Sequence, residues 1–260
     1  MKFTGDQLQR YSRHLILPEV GEEGQARLLK ARVFIVGAGG LGSSAGYYLA
    51  AAGVGTLGII DNDQVELSNL QRQIAHCTRT IGVPKVESAK LTFESLNPDV
   101  HIIPVKERLT KQNILKFIKD YDIIVDCSDN YATRFLVNDA CVMNRKPLVT
   151  GAIFKFEGQL TVVIPHEGPC YRCLFEEPPP PDILPLPQDA GLLGVIPGVI
   201  GTLQAAEVLK LIIGTGEILK GELLIYHALK TSFRKVKIPK NPECPLCGEH
   251  PIITELIEYR

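Results

Sequence analysis

The run Val33-Phe34-Ile35-Val36, followed at once by Gly37-Ala38-Gly39-Gly40-Leu41-Gly42 and then by mostly small residues to Ala52, constrains the fold of this chain more than any other feature. A short, continuous apolar run suits a strand covered on both faces, and the segment behind the glycines has the length of a helix. Further apolar runs at Leu57-Gly58-Ile59-Ile60, at residues 101–105 and at Ile123-Ile124-Val125 alternate with helix-length segments. Such alternation predicts an α/β fold with a Rossmann-like, doubly wound, mainly parallel sheet. The chain has 260 residues, 28 Lys+Arg against 29 Asp+Glu and 45% hydrophobic residues. That size supports a core without disulfide staples. The balanced charge lacks the broad positive field that coating a nucleic acid requires.

An N-terminal helical segment is expected over residues 4–17, ending at Pro18, within a region 1–30 that precedes the nucleotide-binding part at 31–150. A helix is expected from Asn130 to about Asn144, then a strand at Pro147-Leu148-Val149. Residues 151–260 read as an antiparallel, metal-binding part of one continuous domain. There, residues 152–156 and 159–164 flank a turn at Glu157-Gly158, residues 174–197 form a proline-rich loop, and residues 231–238 form a strand. Residues 198–213 read as a helix that is apolar nearly all round, with Gln204, Glu207 and Lys210 on one narrow stripe, as in a helix buried between subunits.

Seven cysteines cannot all pair, and four of them form two C-x-x-C motifs, Cys170/Cys173 and Cys244/Cys247. Two such turns can close a tetrahedron of sulfurs, the geometry of a structural zinc site with no open position. Cys77, Cys127 and Cys141 are expected to be small buried hydrophobes. The start MKFTGDQLQRYSRH has no apolar run behind its charges, and no run of about 18 uninterrupted apolar residues occurs. A cytoplasmic, reducing location is the expectation, and no membrane partner is implied.

Gly37, Gly39 and Gly42 match G-x-G-x-x-G between strand and helix, where backbone N–H groups can face a phosphate. Asp61 follows 61 − 37 = 24 residues on and could bind ribose hydroxyls. Ser43-Ser44 after Gly42 excludes the lysine of a Walker A loop. A dinucleotide and an adenylate both remain open on these residues, and the glycines could also serve helix–strand packing alone.

The polar segment Asp61-Asn62-Asp63-Gln64-Val65-Glu66-Leu67-Ser68-Asn69-Leu70-Gln71-Arg72-Gln73 narrows the choice, together with Gly82-Val83-Pro84-Lys85 and Asp126-Cys127-Ser128-Asp129-Asn130. With Gly37 to Gly42, Tyr11-Ser12-Arg13, the two C-x-x-C pairs and Gly198-Val199-Ile200-Gly201, these residues closely resemble the MoeB/ThiF/HesA adenylyltransferases, relatives of the ubiquitin-activating enzymes. The resemblance implies a Rossmann-like domain, a zinc site, a homodimer, and ATP-dependent adenylation of the C-terminal glycine of a small ubiquitin-like sulfur carrier of the molybdopterin or thiamine type. It also implies that Gly37, Gly39, Gly40, Gly42, Asp61, Asp63 and Asn69 bind nucleotide with Arg72 and Lys85, that Asp129 helps hold magnesium, and that Arg13 reaches the triphosphate from the partner subunit.

Adenylyl transfer asks little covalent chemistry of a protein, only alignment and fixed positive charge. Taken alone, Arg13, Arg72 and Lys85 would be surface charges, Asp129 a helix cap and Asn69 a turn residue. Many relatives carry a cysteine in the loop before the Gly198 helix, where this chain has Pro187 within Leu186-Pro187-Gln188-Asp189-Ala190-Gly191. The expected activity therefore stops at the acyl-adenylate. An NAD-dependent oxidoreductase and a non-catalytic, zinc-stabilised interaction module are the competing classes.

Overall fold

The computed structural model describes residues 2–178 and 191–259. One sheet of eight strands runs in the order β3-β2-β1-β4-β5-β6-β7-β8. β1 (Arg32–Val36), β2 (Thr56–Ile60), β3 (His101–Val105), β4 (Ile123–Asp126) and β5 (Leu148–Phe154) are parallel, and β6 (Glu157–Val163), β7 (Glu222–His227) and β8 (Ser232–Lys237) add antiparallel pairs. The chain runs outward from β1 to β3 and then returns to place β4 on the other side of β1. The crevice of a doubly wound fold opens at that reversal, outside the carboxyl ends of β1 and β4.

Strand alternation divides the core. Val33 and Ile35 face α4 (Gly40–Ala51), α5 (Lys85–Leu96) and the long helix at Val195–Ile213. Phe34 and Val36 face α6 (Ile114–Ile118) and α7 (Tyr131–Met143). The remaining α-helices among the described residues are α1 (Gly5–Arg10), α2 (Ser12–Leu15), α3 (Gly21–Lys30) and α8 (Tyr171–Leu174), and the long helix is called α9.

Several expectations need correction. The N-terminal helix is broken at Tyr11, whose buried ring packs on Gly53 while its hydroxyl accepts from Asn97 Nδ2 at 2.9 Å. The hairpin turn is Lys155-Phe156, with Lys155 at φ 51°, and Phe154 pairs with Glu157. Gly158 lies inside β6 because α9 presses on it: a Cβ there would stand 2.2 Å from Ile200 Cγ1. β5 runs from Leu148 through Thr150 to Phe154, so the parallel and antiparallel parts share a strand.

Pro197 does not exclude helix but sits in the first turn of α9, where the N–H it lacks would have no intrahelical acceptor. The polar stripe of α9 faces inward. Gln204 is fully buried and donates to Asp126 O (2.8 Å), and Glu207 Oε2 accepts from Leu219 N (2.9 Å). By length and composition α9 could cross a bilayer, yet one face of it is committed to the sheet and to α4.

Candidate active site

The glycine turn is built by close approach. Gly37 has φ 97°, and its N–H donates to Ile60 O at 2.9 Å. A Cβ on Gly42 would lie 1.9 Å from Gly37 O, so residue 42 must lack one for α4 to start where it does. Gly40 is pressed by Pro197 of α9 and by Arg72 O. Among the described residues, only Gln73 Nε2 would come within 4 Å of a Cβ on Gly39, at 3.8 Å. Packing thus accounts for Gly40 and Gly42, whereas Gly39 borders space.

Around this turn the fold gathers the ends of β1, β2 and β4. Asp61 Oδ2 accepts from Ala38 N (2.8 Å) and Oδ1 from Asp63 N (2.9 Å). Lys85, the first residue of α5, places Nζ 2.7 Å from Asp63 Oδ2. Asn69 is buried and accepts from Glu66 N, closing the turn that carries Arg72, whose Nη1 donates to Ser68 O at 2.9 Å. Asp129 is exposed beyond β4. The cap of α7 is Asn130, whose side chain accepts from Thr133 N (2.9 Å), so Asp129 is spared that task and its carboxylate accepts only a long contact from Asn130 at 3.4 Å.

Arg13 is not brought to this place. It is exposed on α2, and its neighbours His14 and Tyr11 connect through Gln25 and Asn97 to Ala52 and Ala50, at the far end of α4. A helix of that length separates it from the glycine turn by roughly 18 Å.

Four buried groups were given no role by the sequence reading. Asp126 is fully buried, accepts from Ser128 N, Ser128 Oγ and Thr150 Oγ1, and pairs with buried Arg134 at 3.5 Å. Arg134 Nη2 in turn donates to Ser128 O (2.9 Å), fixing the chain just before Asp129. Gln73 and His76 sit beneath the glycine turn. Charge within an apolar helix, as at Arg134, could have signalled the Asp126–Arg134 pair, whereas Gln73 and His76 meet a turn distant in sequence and carry no such mark.

The four C-x-x-C cysteines converge: all Sγ atoms lie within 4.8 Å of one another, with Cys170–Cys244 at 3.7 Å and Cys173–Cys247 at 3.5 Å. Metal–sulfur bonds of about 2.3 Å in a tetrahedron require edges of about 3.8 Å, so this donor set could hold one ion. Mutual hydrogen bonding, led by Cys170, pulls the Cys173 and Cys244 thiols down, while the Cys170 and Cys247 thiols are pushed up. Among the other cysteines, Cys127 and Cys141 are buried as expected, and burial pushes their thiols well up. Cys77 is not: it is exposed, and the backbone N–H of Arg79 pulls its thiol down. Residues 186–190, where a loop cysteine is expected to be missing, lie outside the described residues.

A glycine turn at the reversal point of a doubly wound sheet, bonded to Asp61 and through Asp63 to Lys85, defines a nucleotide-binding α/β protein with a four-cysteine clip. The chain belongs to the ThiF family, whose model matches residues 11–246. It is 49% identical to the "Sulfur carrier protein adenylyltransferase" of Thermus thermophilus, over 100% of this chain and 97% of that one. It is 53% identical to the "SAMP-activating enzyme E1" of Haloferax volcanii, over 96% and 92%. Against the "Adenylyltransferase and sulfurtransferase MOCS3" of Anopheles gambiae it is 49% identical over 99% of this chain but only 59% of the longer relative. The fold also matches Escherichia coli MccB, solved with AMPCPP and MccA, at TM-score 0.82 and 23% identity over 95% of this chain and 76% of that one.

Proposed function

We propose that this chain adenylates the C-terminal glycine of a ubiquitin-like sulfur-carrier protein, using ATP and releasing pyrophosphate. The reading is supported by the contacts that run from the glycine turn through Asp61 and Asp63 to Lys85, with Arg72 O against Gly40, in a chain about half identical, end to end, to a relative named "Sulfur carrier protein adenylyltransferase".

In the reaction a carrier carboxylate oxygen attacks the α-phosphorus of ATP, the bond to the β-phosphate bridging oxygen breaks, and pyrophosphate leaves. The free N–H groups at the start of α4 and the cations of Arg72 and Lys85 offset the charge that builds on phosphate oxygens. Asp61 and Asn69 bind the nucleoside end, and Lys85 exchanges its Asp63 partner for phosphate. The Asp129 carboxylate, unused as a helix cap, would hold magnesium, which supplies further positive charge beside the phosphates. Arg13 acts from the partner subunit of a homodimer, which accounts for its distance from the turn in its own chain. The four cysteines hold zinc in a closed, structural role, which suits a reducing, cytoplasmic setting. Transfer through a thioester is not part of this reading, and the carrier is of the molybdopterin or thiamine type.

Pyrophosphate–ATP exchange dependent on a carrier ending in Gly-Gly tests the assignment. Asp129→Ala and Arg72→Ala should each lower exchange by about 100-fold or more. Unchanged exchange in both, or tight NAD binding with no ATP response, would overturn it.

A further inference from the structure

His76 is buried, on the turn that follows Arg72, and takes no part in the chemistry above. Its imidazole bridges two elements of the site. Nε2 stands 2.9 Å from Ala38 O in the glycine turn, and Nδ1 stands 3.0 Å from Ser88 Oγ, three residues beyond Lys85 on α5. A carbonyl oxygen can only accept, so the proton is on Nε2.

Ala38 is thereby clamped from both sides: its N–H donates to Asp61 Oδ2, and its C=O accepts from His76. The Ala38 carbonyl and the Gly39 N–H belong to one planar trans peptide and point in opposite directions. An imidazole that fixes the carbonyl therefore fixes the N–H, and points it away from the protein interior on the His76 side. Among the described residues Gly39 N–H has no protein acceptor. Beside it lies Gln73, buried, with Oε1 unpartnered and Nε2 near the space that Gly39 leaves open.

We propose that His76 is a positioning residue of the nucleotide site, donating from Nε2 to Ala38 O so that the Gly39 N–H is presented to a nucleotide phosphate, and tying that turn through Ser88 to the helix that carries Lys85. The proposal rests on the nucleotide-binding reading of the glycine turn and adds to it a residue that never touches the ligand. Burial, aided by the Lys85 ammonium and opposed by the Ala38 carbonyl and Asp61, lowers the pKa of the imidazole and favours its neutral form, while the Ser88 hydroxyl also bonds Thr80 Oγ1 at 2.9 Å.

The test uses the full-length protein and ATP with magnesium. A glutamine amide can reach Ala38 O in place of Nε2, whereas leucine of similar bulk cannot donate. His76→Leu should weaken ATP affinity and raise the KM for ATP by about tenfold, as for one lost oriented hydrogen bond. His76→Gln should restore both to within a few-fold, and the melting temperature and zinc content, recorded in parallel, should not follow that difference. Independently, the histidine nitrogen spectrum of wild-type protein should show His76 neutral and protonated at Nε2. His76→Leu that folds and binds ATP like wild type would overturn the proposal. So would a Nδ1-protonated tautomer, which decides the matter even where the leucine variant fails to fold. Wild-type protein that shows the expected tautomer but binds no ATP would instead remove the nucleotide reading itself.

Discussion

At the scale of single residues, the strongest demands come from contacts with no room for adjustment. A methyl group on Gly42 would collide with a backbone oxygen that the turn cannot move. Gly42→Ala should therefore cost about 1–3 kcal/mol and abolish nucleotide binding, as urea denaturation and ATP titration would show. Arg134→Met strands Asp126 as an unpaired buried carboxylate, and a loss of about 3 kcal/mol is expected in the same denaturation series. Thiol labelling should modify Cys77 first, leaving Cys127 and Cys141 intact until unfolding. The His76 pKa also has a sign. It is lower in the folded chain than in the unfolded one, so the unfolded state takes up the proton first. Stability from this group is complete above about pH 6.5 and falls on acidification through that value toward the folded pKa. His76→Gln should flatten that limb of a stability–pH curve. The glycine turn was readable because its spacing follows the chain, whereas Arg72, Lys85 and Asp129 entered only through the family resemblance. The role of His76 was not readable, since it is defined by a carbonyl 38 residues away, and Cys77 was misjudged because its exposure depends on a turn and not on its neighbours' hydropathy.

At the scale of elements, α9 shows how periodicity can give the correct helix without saying what its polar residues meet. The stripe on this apolar helix read as part of a buried helix, and Gln204 and Glu207 of it face the sheet and satisfy backbone groups at Asp126 and Leu219. Glu207→Ala leaves the Leu219 N–H without an acceptor and should cost about 1–3 kcal/mol by thermal or urea unfolding. Gly201 is where α9 crosses α4, and a Cβ there would sit 2.4 Å from Leu41 O. Ser44 Oγ donates across the same crossing to Pro197 O at 2.9 Å. Strands β1, β2 and β4 were legible because they are covered on both faces and read as unbroken apolar runs. β7 carries a similar run, Leu223-Leu224-Ile225-Tyr226, which the sequence reading passed over, and only Leu223 of it is buried. The hairpin turn was misplaced because a glycine made for packing at residue 158 looks like a glycine made for turning.

At the scale of the molecule, the cysteine clip ties the C-terminal segment to the sheet across 244 − 173 = 71 residues. Buried Arg172, bidentate to Asp139 at 2.8 Å and donating to Tyr259, extends the attachment to α7 and the tail. Metal removal by a chelator, or Cys244→Ser, should lower the melting temperature and open residues beyond 238 to proteases, while ATP affinity changes much less. The long-range pairing of the two motifs was legible because their chemistry admits few partners. β5 has the last consequence. One of its edges completes the parallel sheet, the other founds the antiparallel one, and Thr150 between them holds Asp126. A break after Thr150 would leave one fragment with a frayed border and the other with only Gly151–Phe154 of the hairpin's first strand. The two parts of the sheet therefore cannot be exchanged there as separate modules.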